Sequence, residues 1–556
     1  MAGEQNSQKI PALICIVSIV LSFAGSILYL AYDVSEQAYG YDHDSYNNLL
    51  FLYDKATHNT EGHLIKSSGD AYTLFYPSSL LAVLIFGLNR WAAMLVPFIG
   101  WALILFFGYK LGKQLGNDDR LAGWLAASTL ALTPLVFGLS RKFSPWTLVL
   151  GLFLGLSYRL ARYQQAPGVR NALLMGAFLV LGIAAPHDMT TQLLFIFFAL
   201  LFIGVIITHG LLNKTVSPAV AVSTVLILAV LFCLSVLLPS TSWTKEPMLD
   251  YYSGEVDHFS HSFRFFDTLP GYFVDIYRSL FRPIGTFLIG MLLLAFVFKK
   301  QREGVRLWAF IPLLGIAVLS LFPKKNSWYI LECSAILPVL AAVALASWAA
   351  KLPNRKSLCL VAVWHLLLFV QYVHCSFFAW QSFATSYDAL SIFHERFVPI
   401  TQPVQTSAST SYREMTDDFL KRYEEFFPGT QKVCLGVVVD YHNGFDTVPF
   451  YLRTSGKPLA LYLAAYPGAP ELGSGLDAVA FFPSRYNPGH TADVLQNTTE
   501  FHDIYVNGLT GRLIEHREKD LDVSIDRTSR LLNSWKISTA IQLDKGVVLF
   551  IPAPRK

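Results

Sequence analysis

For its first two thirds the chain alternates between long, unbroken apolar runs and short polar connections, and then its character changes. A helix needs about 20 apolar residues to cross a hydrocarbon layer about 30 Å thick. On that rule the pattern predicts about eleven membrane spans, near 10–32, 89–109, 120–140, 145–161, 171–187, 190–209, 217–238, 283–298, 306–322, 328–350 and 357–379. A further apolar stretch, Pro77–Gly87, is too short to cross and is expected to lie in the interface or to re-enter. The first run, Ile10–Tyr32, is longer than a signal-peptide core and has no small-residue cleavage site, so it reads as a retained helix.

After residue 379 the pattern becomes that of a water-soluble domain. Short apolar runs with strand character recur at Val433–Val439, Pro458–Leu463, Ala478–Phe482 and Gly546–Ile551. Polar turns and helix-like stretches such as Tyr412–Phe427 separate them. The expected architecture is mainly α: a polytopic membrane helical bundle over residues 1–379, then a small α/β domain over 380–556. No internal repeat or low-complexity tract interrupts it, and the sequon Asn497-Thr498-Thr499 is too common a pattern to decide anything.

Composition agrees with this pattern. The chain is 53% hydrophobic and 15% charged, with a mean hydropathy of +0.43, against about 25% charged residues in a soluble domain. The excess apolar surface must face lipid. A net charge of +4 over 556 residues excludes the basic face of a nucleic-acid binder. The six cysteines are scattered without a CxxC, and Cys434 stands alone in the soluble part, so that domain has no internal disulfide. Cysteines do not fix the compartment, but the lack of a secretory disulfide pattern favours a bacterial inner membrane over an endoplasmic reticulum membrane.

Lys and Arg collect in short cytoplasmic loops. With the N-terminus inside, the cytoplasmic connections are Lys110 to Arg120, Arg159 to Arg170, Lys299 to Arg306 and Lys351 to Lys356. The outer set then holds the first loop (33–76), with its acidic segment Asp33–Asp70, and a long loop (239–282). An odd number of spans places the C-terminal domain on the extracytoplasmic side. Two outer connections break the charge rule: Ser140-Arg141-Lys142 and Pro323-Lys324-Lys325-Asn326. These cations either snorkel to headgroups or form a site for a phosphate or pyrophosphate.

The first outer loop carries Asp42, His43, Asp44, Ser45 and Tyr46, ahead of a stretch, Ser45–Ala56, that could form an amphipathic helix. A solvated loop carries acids in any case, and Asp42 could be a helix N-cap. Asp54, His58 and His63 have a spacing open to metal binding, which is not specific. Glu332 lies a short way into a span, where acids are costly. The long loop holds Tyr251, Tyr252, Asp257, His258, His261 and Arg264, as a lid or as a plain connection.

Several of these elements, in order, resemble a known family. Asp42-x-x-x-Tyr46, the proline-led segment from Pro77 to Phe86-Gly87, Pro134 with Ser140-Arg141, and Lys325-Asn326-Ser327-Trp328-Tyr329-Ile330-Leu331 are similar to motifs of polytopic GT-C glycosyltransferases. The nearest likeness is to the protein O-mannosyltransferase and aminoarabinose-transferase-like family, over residues 10–350. The resemblance implies transfer of a sugar from a polyprenyl-phosphate donor to a hydroxyl of a lipid, glycan or protein acceptor on the extracytoplasmic face. It implies a catalytic role for Asp42 or Asp44 and lipid-phosphate binding by Arg141, Lys324, Lys325 and Tyr329. Tyr46, His187, Asp188, His258 and His261 become candidates for substrate binding. A divalent metal ion is the one cofactor it admits, with His43 and Asp44 as weak ligand candidates.

The likeness has departures. His43 replaces the usual second acid of the first loop, and Lys142-Phe143-Ser144-Pro145-Trp146 lacks the acid many relatives carry after Ser-Arg. The lysine common before the proline-led segment is missing, although Lys66 is not far. His187-Asp188 either stands in for the missing acid or caps a helix end. Oligosaccharyltransferases share the GT-C fold and would favour Asp44, but their Trp-Trp-Asp motif is absent. Two other classes stay open: a transporter or flippase for a lipid-linked or anionic substrate, and a membrane scaffold whose outer domain binds a partner. The chain lacks the inverted repeats expected of the first, and the second leaves the ordered motifs unexplained.

Overall fold

The structure is a computed structural model. It describes residues 9–31, 45–58, 73–140, 143–185, 189–236 except 213 and 215, 335–377, 412–429, 432–439, 444–463, 476–482, 537–545 and 547–552, with single residues at 290, 308, 310, 312, 315 and 317. The expected spans 283–298 and 306–322 therefore lie almost wholly outside the described residues, as do the long loop 239–282, Glu332 and the Asn497 sequon. The chain falls into two compact units. One draws on Met1–Ala38, Tyr72–Ser79 and Ala93–Gln405, the other on Tyr39–Ala71, Leu80–Ala92 and Thr406–Lys556.

In chain order the helices up to residue 377 are α1 (Lys9–Ala31), α2 (Ser45–Ala56), α3 (Phe75–Phe86), α4 (Arg90–Leu115), α5 (Arg120–Ala131), α6 (Pro134–Leu139), α7 (Trp146–Gln165), α8 (Val169–Ala184), α9 (Met189–Leu212), α10 (Pro218–Val236), α11 (Ile336–Ala349) and α12 (Asn354–Phe377). Three described stretches are long and apolar enough to cross a membrane: Ile10–Leu28, Arg90–Leu115 and Asn354–Val373. Side chains on their outer faces are apolar and bare, among them Leu13, Val17 and Val20 on α1, Leu95, Ile99 and Phe106 on α4, and Val363, Leu366 and Val370 on α12. In water each would forgo about 1.5–3 kcal/mol of burial, and apolar faces this continuous belong against lipid. The protein is an integral membrane protein.

The short apolar stretch at Pro77 is α3, 12 residues long, about 18 Å and too short to cross. It ends at Gly87, whose φ of +83° is the left-handed conformation that closes helices. Asn89 then caps α4, accepting a hydrogen bond from the Ala92 N–H at 3.0 Å.

The expected single span 120–140 is two helices, and Pro134 is the reason. It has no N–H to donate, and it forces the residue before it out of the helical region; Thr133 is extended, at φ −72° and ψ 125°. The frayed carbonyls need donors, because a bilayer supplies none. Thr133 N–H donates to Leu130 O at 3.0 Å, and the Ser22 hydroxyl of α1 donates to Ala131 O at 2.7 Å. Tyr372 of α12 in turn donates to Ser22 O at 2.9 Å. Its hydroxyl occupies the space a side chain at Gly25 would need. One turn back, Trp364 Nε1 donates to Thr129 Oγ1 at 3.1 Å, and His365 Nε2 meets the Ser128 hydroxyl at 2.8 Å. Buried polar groups thus stitch α1, α5 and α12 together, as in other membrane bundles.

Paired contacts give the helix directions. Residues 22, 131 and 372 lie together, as do 128 and 365 and, further along, 26 and 140, so α1, α5 and α12 run the same way. Gly108 faces Leu130 and Gly112 faces Ala126, so α4 runs against α5. Gly100 faces Thr147 and Gly151 faces Leu103, so α7 runs parallel to α4. Phe178 packs on Gly155, Phe195 on Gly182 and Leu231 on Gly176, which sets α8, α9 and α10 in alternating directions. A tight turn at Lys351–Pro353 reverses the chain from α11 into α12. Four described turns that carry Lys or Arg (Lys113 to Arg120, Arg162 to Arg170, Lys214, and Lys351 to Lys356) therefore share one end of the bundle. There the Gln114 and Gln165 side chains are hydrogen-bonded to one another.

The second unit contains α13 (Tyr412–Lys421), α14 (Tyr423–Phe426), β1 (Val433–Val439), α15 (Gly444–Thr454), β2 (Leu459–Leu463), β3 (Ala478–Phe482), β4 (Ile537–Gln542) and β5 (Val548–Pro552). The sheet order is β2-β1-β3-β5-β4. Strands β2, β1 and β3 are parallel, β5 is antiparallel to β3, and β4 is antiparallel to β5. Met415, Phe419 and Tyr423 pack with Val448 and Leu452 of α15 over Val433, Leu435 and Val437 of β1. Burial raises the pKa of the Tyr423 phenol, and the nearby Glu424 and Asp477 carboxylates add to the rise. The expected helix Tyr412–Phe427 is broken at Arg422 into α13 and α14.

Gly100 admits no side chain, because a methyl group there would lie 2.5 Å from the Leu148 nitrogen, a backbone atom that cannot swing away. Gly100→Ala is expected to destabilise the bundle by about 1–3 kcal/mol or more. Gly204→Ala, with nothing within 4 Å, should be close to neutral. Thermal unfolding of the two variants in detergent checks the contrast.

Candidate functional site

The end of the bundle opposite the basic turns is where the chemistry-bearing segments leave and return. α1 ends there at Ala31, and the chain runs on toward Asp42 and Asp44. α6 ends there at Leu139, one residue before Ser140 and two before Arg141. α8 ends there at Ala184, just before His187 and Asp188. α10 leaves from it toward His258 and His261, and α11 returns to it after Lys324, Lys325 and Tyr329. Asp42, His43, Asp44, Arg141, His187, Asp188, His258, His261, Lys324, Lys325 and Tyr329 themselves lie outside the described residues, as do His63 and Lys66.

The flanking residues are described, and several are in contact. Leu74 N–H donates to Ala184 O at 2.7 Å, and the Phe75 ring packs on Phe143 with centroids 5.0 Å apart. The entry to α3, the stretch after Arg141 and the stretch before His187 thus share one corner. The Ser26 and Ser140 hydroxyls are 3.5 Å apart and tie α1 to the same place. The described flanks of Arg141 and of His187-Asp188 therefore meet at one end of the unit.

Three hydroxyls in this part of the bundle were not foreseen. Thr73, Ser144 and Thr147 are 2%, 0% and 0% exposed, and their oxygens have no hydrogen-bond partner among the described residues. Buried hydroxyls normally find one. Single Ser and Thr residues in an apolar sequence are common helix components, so no pattern of spacing would have revealed them.

In the second unit, Tyr46 and Asp54 are the candidates that can be placed. The Tyr46 ring stacks on Phe450 of α15, with centroids 4.2 Å apart and planes at 29°. Asp54 accepts from Arg453, one turn further along α15, in an ion pair whose two side chains are each 18% exposed. His58 is exposed at φ +53°. The Asp54 carboxylate is engaged by a guanidinium, and among the described residues no group of three His, Cys, Asp or Glu side chains could hold a metal ion. His63 lies outside the described residues, so of that spacing only the Asp54 carboxylate, paired with Arg453, and the exposed His58 are placed.

No protein-family model matches the chain, and no curated protein matches it. Two solved structures similar to it are of ArnT from Cupriavidus metallidurans. The form bound to undecaprenyl phosphate is 13% identical, with a TM-score of 0.49, over 80% of this chain and 85% of that one. The apo form is 13% identical, with a TM-score of 0.46, over 95% of this chain and 99% of that one. At these values neither assigns a substrate or a residue role to this chain.

The convergence has a direct test. In a cysteine-free background, Arg141→Cys, His187→Cys and Lys325→Cys are expected to react with a membrane-impermeant thiol reagent from one face of sealed vesicles. Lys214→Cys and Arg355→Cys should react only from the other. Labelling of Arg141→Cys from the same face as Arg355→Cys would refute the arrangement.

Proposed function

We propose that the protein is a membrane glycosyltransferase that moves a sugar from a polyprenyl-phosphate donor to an acceptor hydroxyl on the extracytoplasmic face. The observation that carries this reading is the gathering, at the end of the bundle away from the basic turns, of the chain ends that lead to every candidate residue. The described flanks of Arg141 and of His187-Asp188 meet at one corner, beside buried hydroxyls that have no hydrogen-bond partner among the described residues. The ordered motifs of the sequence supply the reaction class.

The chemistry needs two kinds of group. As the acceptor oxygen bonds to the anomeric carbon, the bond from that carbon to the lipid phosphate breaks and its electron pair goes to the phosphate oxygen. Arg141, Lys324 and Lys325 oppose that growing negative charge, an effect that is strong where water is excluded. Tyr329 donates to a phosphate oxygen. The proton of the attacking hydroxyl passes to the carboxylate of Asp42 or Asp44. The prenyl chain stays in the bilayer, which brings a donor to a membrane-embedded site without taking it through water. The acceptor is a lipid, glycan or protein hydroxyl, and the C-terminal domain lies on the acceptor's side.

Purified protein incubated with labelled polyprenyl-phosphate sugars and a membrane extract as acceptor should transfer label. Asp42→Asn or Asp44→Asn should lower kcat by about 10²–10⁴-fold, and Lys325→Ala by about 10²–10³-fold. No transfer from any donor, together with native mass spectrometry showing no bound prenyl lipid, would reject the enzyme in favour of a transporter.

A further inference from the structure

The second unit joins a helix of the first outer loop to the C-terminal domain, although almost 400 residues separate them in sequence. α2 begins at Ser45, immediately after Asp44 and three residues after Asp42. Its Leu49, Leu50 and Leu52 are buried, as is Asn48. α15 has two working faces. Val448 and Leu452, four residues apart on one side of the helix, sit in the core of the domain. Phe450 and Arg453 instead meet α2, at Tyr46 in its first turn and at Asp54 in its last.

We propose that this contact is a latch by which the C-terminal domain positions the acids of the first loop. Asp54 and Arg453 are its ionic half, and Tyr46 and Phe450 its stacking half. All four are positioning residues. Ser45, the first residue of α2, follows Asp44 directly in the chain, so fixing the first turn of α2 fixes where the segment carrying the two acids ends. A half-buried ion pair suits this task better than an apolar patch alone, because a guanidinium and a carboxylate pair in a defined geometry. Neither side chain is well hydrated when the other is removed. The catalytic part of the inference rests on the glycosyltransferase reading; the latch itself does not.

The test uses the full-length protein in detergent or nanodiscs, with two independent readouts. Arg453→Ala and Asp54→Asn are each expected to speed amide exchange in Ser45–Ala56 by about tenfold or more, with exchange in α5 unchanged. They should lower kcat for sugar transfer by up to about 10²-fold, the effect of a misplaced catalytic group, and leave the donor KM within about twofold. The charge swap Asp54→Arg with Arg453→Asp should recover much of both, which separates loss of the pair from simple misfolding. Tyr46→Ala should act in the same direction. Arg422→Ala removes the exposed pair with Glu425 and should change neither readout. Unchanged exchange in Ser45–Ala56 would overturn the latch. Faster exchange with an unchanged kcat would overturn its positioning role. If wild type transfers no sugar from any donor, the glycosyltransferase reading fails, and the latch stands or falls on exchange alone.

Discussion

A bilayer offers no water to a broken helix, and Pro134 breaks one inside the bundle. The freed carbonyls of Leu130 and Ala131 must find donors within the protein, and they do so in the 3.0 Å bond from Thr133 and the 2.7 Å bond from Ser22. That requirement fixes α1 beside α5. Tyr372 extends it to α12 by donating to Ser22 O, and close approach at Gly25 leaves room for its ring. Once these three helices are aligned, their ends are aligned as well. The segments leading to Asp42 and to Arg141 then start from the same end because one proline had to be accommodated.

The break also sets a length. The 12 residues of α5 rise about 18 Å, so the chain leaves regular helix well before it would have crossed a 30 Å layer. α6 continues for only 6 residues before Ser140 and the two cations that follow it. A straight helix over the same residues would carry those cations further along one axis. The interruption lets the chain turn where Ser26, Phe75 and the end of α8 are close by. A proline that costs the helix hydrogen bonds thus supplies the bend at this corner.

Much of the architecture was legible in the sequence, for identifiable reasons. The membrane helices were visible because lipid demands long apolar runs, and α1, α4, α7, α9, α10 and α12 lie close to where those runs predict. β1 and β3 coincide with dense Val, Ala and Phe runs. β4 was not visible, because Ile-Ser-Thr-Ala-Ile-Gln has only two strongly apolar residues and its pairing with β5 supplies the rest. The division of 120–140 was missed although Pro134 had been noticed, since hydropathy sums are blind to a missing N–H. Arg141 and Lys325 stood out in the sequence by their charge, although both lie outside the described residues. Thr73, Ser144 and Thr147 did not, because a hydroxyl matters only once its surroundings are known.

Asp54 shows the same limit from the other direction. Its spacing with His58 and His63 left a metal site open without being specific, since one-dimensional distance was the only distance to hand. In three dimensions its nearest charge is Arg453, which no local pattern could connect to it. A carboxylate held by a guanidinium has little lone-pair capacity to offer a cation, and the pair's low exposure makes exchange of partners costly. The acid that looked like chemistry is therefore a structural clasp.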